Sequence, residues 1–342
     1  MSPAEFLYLD QTAMLQAGVL DMRRAIDVIS GALCLLETGE CAQPLKVVLR
    51  DGDARSEDQG RFNGLCASIK GAHPAVGMKW IGSYPQNRKA GLPRASAIIV
   101  LNSPLTGLPI AVVDGTLVSA VRTGAVTALG ARFLARRGAR KAAVIGGGVQ
   151  PRTQILGLAT AMPGLEEIAV FCRRHSQAES LRDDCAKFVK TPIAIAESAK
   201  AALVDADVVV TVTTASEPLV HAADLGRGVL TVQMSGHECD FDVVRECRKL
   251  VIDNWEGMMH RGIITPALMH AQGLLQEGDV HATLGELILG RKPGREDDAE
   301  RIHFAHMGMG VEDVALASAV YDTARELGLG QSLKLWESPL WV

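Results

Sequence analysis

Apolar and polar positions follow one pattern before residue 119 and another after it. In the first part, Phe6–Leu9 reads as a short strand, and Asp10 can cap a helical turn starting at Gln11. Asp21 caps a second helix whose Ile26, Val28, Ile29, Ala32 and Leu35 lie largely on one face, and Gly39 closes it. Gln43–Arg50 has strand character with poor alternation, and Asp51–Gly60 is a polar hairpin or loop. Val76–Ile81, Ala95–Leu101 and Pro109–Val113 read as strands, with a turn at Asn102–Gly107, so 76–114 is expected to form an antiparallel sheet. A long helix begins at Ser119, turns Val121, Val126, Leu129, Phe133 and Leu134 toward a core, and ends at Gly138.

Beyond Gly138 strands and helices alternate. Strands are expected at 141–145, 167–172, 193–195, 207–213, 229–234 and 250–252, with helices at 152–161, 177–187, 197–203 and 264–273. Such alternation implies a doubly wound parallel sheet with helices on both faces, the Rossmann-type α/β class. The tail, Gly308–Leu327, becomes helical after Asp313 and ends in a polar loop. The expected organisation is an α+β domain of 1–118 completed by 305–342, and a nucleotide-binding domain of 119–304.

Composition narrows the class. Of 342 residues 48% are hydrophobic and 22% charged, enough for a large core. A net charge of −4 gives no electrostatic footprint for nucleic acid or an anionic membrane. Seven cysteines without a C-x-x-C pair read as reduced, mostly buried thiols. The N-terminus has no basic region followed by an apolar core, and no uninterrupted apolar run approaches the roughly 18 residues of a membrane span. A soluble, cytoplasmic protein is expected.

The chemistry centres on KAAVIGGGVQPRTQ, 141–154. A strand running into Gly146-Gly147-Gly148 and then a helix is the setting in which glycines admit a pyrophosphate to a helix N-terminus. Pro151 occupies the place of the usual third glycine, and a plain glycine turn is the competing reading. At the end of the second nucleotide-domain strand, a carboxylate would bind the ribose of NAD. Cys172-Arg173-Arg174 stands there instead, so Arg173 and Arg174 favour NADP(H) over NAD(H) unless they are solvated surface residues. Thr213 and Thr214, after the 207–213 strand, are candidates for contacts to ribose or nicotinamide, or ordinary loop hydroxyls.

In the first domain Lys46, Arg50, Lys79, Arg94 and Arg122 place cations beside apolar strands. A carboxylate-bearing substrate or an internal ion pair would compensate them. Arg122, near the helix start, could aim at the mouth of the nucleotide domain. Glu238, just past the 229–234 strand, is placed as a general acid/base, with His237 as rival and a solvated loop acid as the alternative. His303 and His306, spaced for one helix face, lack a third metal ligand, and no metal site is expected.

Several long segments resemble the ornithine cyclodeaminase/μ-crystallin family over nearly the whole chain. They are KWIGSYPQN (79–87), RASAIIVLN (94–102), Leu108 to Thr123, VIGGGVQ (144–150), Val251–Trp255, HATLGELILGRKPGRED (281–297) and MGMGVEDVAL (307–316). QPLKVVLR, KWIGS, RAS, PGREDD and MGMGVED look most like a branch of N-(2-amino-2-carboxyethyl)-L-glutamate dehydrogenases that act in making 2,3-diaminopropionate. The resemblance implies a substrate-binding, dimer-forming N-terminal domain, a Rossmann domain holding NAD(H) or NADP(H), and reaction at a Cα–N bond through an imine. By motif position it implies Lys79 and Arg122 as carboxylate binders, with Lys46 or Arg50 supplying a further cation. It implies Thr123, Gly146, Gly148, Val149, Gln150 and Met307 at the cofactor, and Glu238, with Lys79, as the catalytic groups. Two departures are a glutamate at 238 where the family carries aspartate, and the loss of the ribose-binding acid. An NAD(P)-dependent oxidoreductase working as a homodimer on an amino-acid-derived amine is the leading expectation. Ornithine or lysine cyclodeaminase, NADPH-dependent imine reductase and a non-catalytic μ-crystallin-like binder are the alternatives.

Overall fold

A computed structural model describes residues 3–53, 56 and 59–341. The chain forms two compact units: everything up to Arg122 rejoined by Met309 onward, and Thr123–Gly308. In chain order the first unit contains β1 (Ala4–Leu9), α1 (Gln11–Gln16), α2 (Met22–Glu37), β2 (Cys41–Ala42) and β3 (Val47–Asp51). β4 (Gly60–Ile69), β5 (Ala75–Ser83), β6 (Ala95–Asn102) and β7 (Pro109–Asp114) follow. The boundary falls within α3 (Gly115–Leu134).

The second unit runs through β8 (Lys141–Ile145), α4 (Gln150–Ala161), β9 (Glu167–Phe171), α5 (His175–Cys185), β10 (Ile193–Ile195) and α6 (Ala199–Leu203). It continues through β11 (Val208–Thr211), β12 (Leu230–Gln233), α7 (Phe241–Arg245), β13 (Lys249–Ile252), α8 (Trp255–Arg261) and α9 (Thr265–Ala271). β14 (Ala282–Thr283), α10 (Leu284–Ile288) and β15 (Ile302–Ala305) complete it. The chain then returns to the first unit with α11 (Gly310–Glu326) and β16 (Gln331–Trp336).

The first unit's sheet runs β16-β1-β7-β6-β5-β4-β2, with β3 also paired to β4. It is mixed: β1 lies parallel to β7, and the β4–β7 ladders are antiparallel. α11 packs against β4, β5, β6 and α2. Asp10 and Asp21 cap α1 and α2, accepting from Ala13 N and Arg24 N.

Several expected boundaries move. β4 fills a gap left between the polar hairpin and Val76, because RFNGLCASI carries no clean alternation. The polar tail contains β16, which gains its partner only through β1. Within the 43–50 segment the strand starts only at Val47, running on to Asp51, and residues 54, 55, 57 and 58 of the hairpin lie outside the described residues. α3 starts at Gly115 rather than Ser119, with Leu117 N donating to Asp114 Oδ1 at 2.9 Å, and ends at Leu134. α3 is long and apolar enough to cross a membrane, yet 83% of its apolar window is buried inside the protein, as in a core helix.

The second unit's sheet runs β10-β9-β8-β11-β12-β15-β13-β14 with parallel pairing, a Rossmann-type arrangement. β15 corrects the expected helix face for His303 and His306: His303 lies in a central strand and His306 just past its end. Burial pushes His303 down to about 4, so it is neutral, and its Nδ1 lies 2.8 Å from Thr231 Oγ1. Of the seven thiols, Cys172, Cys185 and Cys239 are buried and the others half-buried.

α3 and α4 approach closely at Gly157, where a Cβ would lie 2.4 Å from the Gly124 carbonyl oxygen. At Gly164 a Cβ would meet nothing within 4 Å. Gly157→Ala is expected to destabilise the protein by about 1–3 kcal/mol in urea unfolding, and Gly164→Ala by less than about 0.5 kcal/mol. Equal effects would contradict the close helix approach.

Candidate functional site

In the first unit, Lys79 points from the middle of β5 into the α11 side and is 1% exposed. α11 answers with two acids in its first turn, Glu312 and Asp313, both fully buried. Lys79 Nζ lies 2.5 Å from Asp313 Oδ2 and donates to Ser119 Oγ at 3.1 Å. Arg122 bridges both acids, Nε to Asp313 Oδ1 at 3.0 Å and Nη1 to Glu312 Oε2 at 2.9 Å. Two cations thus share two carboxylates. Burial brings the Lys79 ammonium down to about 8 against the opposing pull of Asp313. The internal ion pair is therefore present for both cations, and the Arg122 guanidinium is directed at α11.

Glu312, Asp313 and Ser119 were not among the residues singled out by sequence. The available signal was an adjacent acid pair inside the otherwise apolar pattern of GVEDVALA, which buries charge and so demands a cation.

In the second unit β8 delivers the chain to Gly146 at φ +146°, a conformation that favours glycine. A Cβ there would lie 2.5 Å from the Val212 carbonyl oxygen. At Gly148 a Cβ would meet nothing, leaving the backbone open to close approach. α4 begins after Val149 without any side-chain cap, and Pro151 sits in its first turn. Pro151 has no amide hydrogen and Arg152 N donates to the Val149 carbonyl at 3.2 Å, so the Gln150 amide at the uncapped start is the one offered to an anion, which the helix dipole favours there. These features fit a dinucleotide pyrophosphate.

Cys172 occupies the expected place of the ribose-binding acid and donates its thiol to the Gly146 carbonyl at 3.1 Å. Arg173 and Arg174 follow it, both exposed, and Arg174 opens α5.

Glu238 is fully buried. It hangs on the end of β11: Thr211 Oγ1 donates to it at 3.1 Å, and the Thr213 backbone N–H donates to its other oxygen. Its own carbonyl accepts from Leu219 N at 2.8 Å and Val220 N at 3.1 Å, fixing the loop. Burial raises its pKa to about 7, and the hydrogen bonds from Thr213 and Thr211 only partly oppose this. A carboxyl held there exchanges its proton near neutrality, as a general acid/base requires. His237 stands beside Phe241 at 5.4 Å between ring centroids, its Nε2 buried without a hydrogen-bond partner.

Other candidates spread more widely. Thr213 serves Glu238 through its backbone and Ala215 N through its hydroxyl, while Thr214 is exposed. Thr123 is buried in α3. Met307 N and Gly308 N both donate to Asp253 Oδ2, at 2.6 and 2.8 Å, so a carboxylate at the end of β13 shapes the turn after β15. Lys46 is half-buried ahead of β3, Arg50 is exposed on β3 with a 3.5 Å contact to Gln59 Oε1, and Arg94 is half-buried just before β6.

A parallel nucleotide-type sheet with a glycine cradle, beside a buried acid poised near neutrality, defines a nicotinamide-dependent class of enzyme. The chain belongs to the ornithine cyclodeaminase/mu-crystallin family, whose model matches residues 11–328. It is 31% identical to the N-((2S)-2-amino-2-carboxyethyl)-L-glutamate dehydrogenase of Staphylococcus aureus, over 97% of this chain and 99% of that one. Among solved structures it resembles the Delta(1)-pyrroline-2-carboxylate reductase of Thermococcus litoralis in complex with NADH and L-proline. That match has a TM-score of 0.88 and 29% identity, covering 95% of this chain and 99% of the other. An archaeal alanine dehydrogenase dimer with bound NAD gives a TM-score of 0.87 at 30% identity, covering 97% and 100%. The family resemblance read from the motifs is thereby established, and these relatives are oxidoreductases.

Glu238 makes stability depend on pH. Its folded pKa, about 7, lies above the ordinary 4.5, so the native state holds a proton that the unfolded chain releases between those values. Its contribution to stability therefore falls as pH rises through that window, by on the order of 3 kcal/mol. Denaturant unfolding of Glu238→Gln and wild type is expected to show the balance shifting toward the variant by that order between pH 4.5 and 8. Parallel pH curves would contradict the buried, raised carboxyl.

Proposed function

We propose that the protein is an NADP(H)-preferring oxidoreductase acting on the Cα–N bond of an amine that joins two amino-acid units. The substrate is an N-(2-amino-2-carboxyethyl)-L-glutamate-like compound. Oxidation to the imine and hydrolysis yield 2,3-diaminopropionate and 2-oxoglutarate, one water being consumed and one cofactor reduced. The observation that carries this reading is Glu238, buried, bonded to Thr211 and Thr213 and poised near pH 7.

The residues divide the work. Gly146, Gly148, Val149 and Gln150 hold the cofactor pyrophosphate, with Thr123 and Met307 lining the rest of it. Arg173 and Arg174 meet the 2′-phosphate, a dianion that suits guanidinium. The nicotinamide, when bound, accepts or donates hydride at the substrate Cα. Lys79 and Arg122, fixed by Asp313 and Glu312, bind substrate carboxylate, with Lys46 near the same sheet as a further cation. Glu238 takes the proton of the amine as the imine forms and returns one during hydrolysis; the hydrogen bonds from Thr211 and Thr213 hold its carboxylate still meanwhile.

The protein works as a soluble cytoplasmic homodimer. In support, the first unit's sheet face opposite Lys79 exposes Val47, Leu49 and Ile98, at 63%, 51% and 47%.

Purified protein is expected to reduce NADP⁺ with N-(2-amino-2-carboxyethyl)-L-glutamate while releasing little ammonia. The Arg173→Ala/Arg174→Ala double variant is expected to raise KM for NADP⁺ at least about tenfold and leave NAD⁺ unaffected. Ammonia from L-ornithine at constant absorbance of reduced cofactor would replace this reading with a cyclodeaminase.

A further inference from the structure

One end of the first unit's sheet gathers arginines. Arg50 on β3 stands opposite Arg61 on β4, and Arg61 stands opposite Ser83 on β5. Arg94 immediately precedes Ala95, which is opposite Ser83 from the β6 side, and the Arg94 carbonyl accepts from Tyr84 N at 2.8 Å. Burial, with the fields of Arg94 and Arg50, holds Arg61 below the usual arginine pKa; burial and Arg88 do the same to Arg94. Nε of Arg61 and Nε of Arg94 are both buried without a hydrogen-bond partner. Among the described residues neither guanidinium forms an ion pair with a carboxylate. Asp51, at the same sheet end, accepts from the Tyr84 hydroxyl at 2.7 Å and pairs with neither guanidinium. Two half-buried guanidiniums without an ion pair are costly, and an anion between them removes that cost.

Arg61 and its cross-strand partner Arg50 share a sheet face with Lys79, and Arg94 is near enough for its charge to act on Arg61. Alternate residues of β4, Arg61, Asn63 and Leu65, point to one side, and Leu65 is the cross-strand partner of Lys79. From Leu65 to Arg61 is about 13 Å of strand at roughly 3.3 Å per residue, a span on the scale of a substrate with carboxylates at both ends. Asn63 lies midway, its Oδ1 buried without a donor.

We propose that Arg61, with Arg94 and Arg50 beside it, forms a second carboxylate subsite that selects a substrate unit bearing an anionic arm, a dicarboxylate. This rests on the reading that Lys79 and Arg122 bind the first carboxylate. A unit with a terminal ammonium, such as ornithine, meets three guanidiniums there; one with an apolar arm leaves Arg61 and Arg94 without an anion. Arg61 and Arg94 are specificity residues and take no part in the proton transfer assigned to Glu238.

The test is calorimetric titration of the NADP⁺-loaded enzyme with 2-oxoglutarate and with 2-oxopentanoate, which lacks the distal carboxylate. Wild type is expected to bind 2-oxoglutarate at least about tenfold more tightly. Arg61→Gln and Arg94→Gln should each lose most of that preference while binding 2-oxopentanoate as wild type does, and Arg61→Lys should restore part of it. Equal affinities in wild type, binding of neither acid, or equal losses for both acids in the variants would overturn the subsite. An Arg61-dependent preference in an enzyme that does not oxidise N-(2-amino-2-carboxyethyl)-L-glutamate would leave the subsite standing and remove the proposed reaction.

Discussion

Four buried charges constrain the first unit. Lys79 cannot remain an ammonium inside a sheet without an acid, and both acids that serve it and Arg122 come from α11. The chain must therefore return, after the whole second unit, to finish the first. The close approach is built in: at Gly310 a Cβ would lie 2.5 Å from the Cys66 carbonyl oxygen, so α11 can begin directly against β4. Acids in the first turn also suit the positive end of the helix. Such pairs are seldom strong sources of net stability, because desolvation offsets most of the attraction. What they supply is placement: removal of either sign leaves a buried charge, so alternative packings of α11 are disfavoured.

The second unit solves the opposite problem. Among the described residues Glu238 has no cation among its hydrogen-bond partners, which are Thr211, Thr213 and the Ser235 backbone. Burial then dominates, and the carboxyl stays protonated to near neutrality. The glutamate side chain is long enough to bond back to the end of β11. One unit thus keeps its charges fixed by pairing them, while the other keeps an acid responsive by leaving it unpaired.

Much of this was legible along the chain where the cause is local. The run from Ala142 through Gly146 to Pro151 announces strand, glycine turn and helix, and Asp10 and Asp21 announce their caps, because each depends on neighbours within a few residues. Features that depend on distant partners were hidden. Arg122 and Asp313 are 191 positions apart, and neither residue's surroundings name the other. β16 becomes a strand only by pairing with β1, and β4 is disguised by polar residues that point at a partly charged face. His303 suggested helix spacing because a neutral buried histidine in a central strand is not visible in periodicity. Arg61 carries no local signal for a related reason: its importance comes from the register that sets it between Arg50 and Ser83.

The proposed chemistry stands on Glu238 holding its proton near neutrality. Isotope-edited infrared titration of the side-chain carboxyl, assigned by its loss in Glu238→Gln, reads that property directly. A midpoint near 7 is predicted. A midpoint near the ordinary 4.5 would show a solvated carboxylate with no proton to exchange at working pH, and would contradict the role given to it.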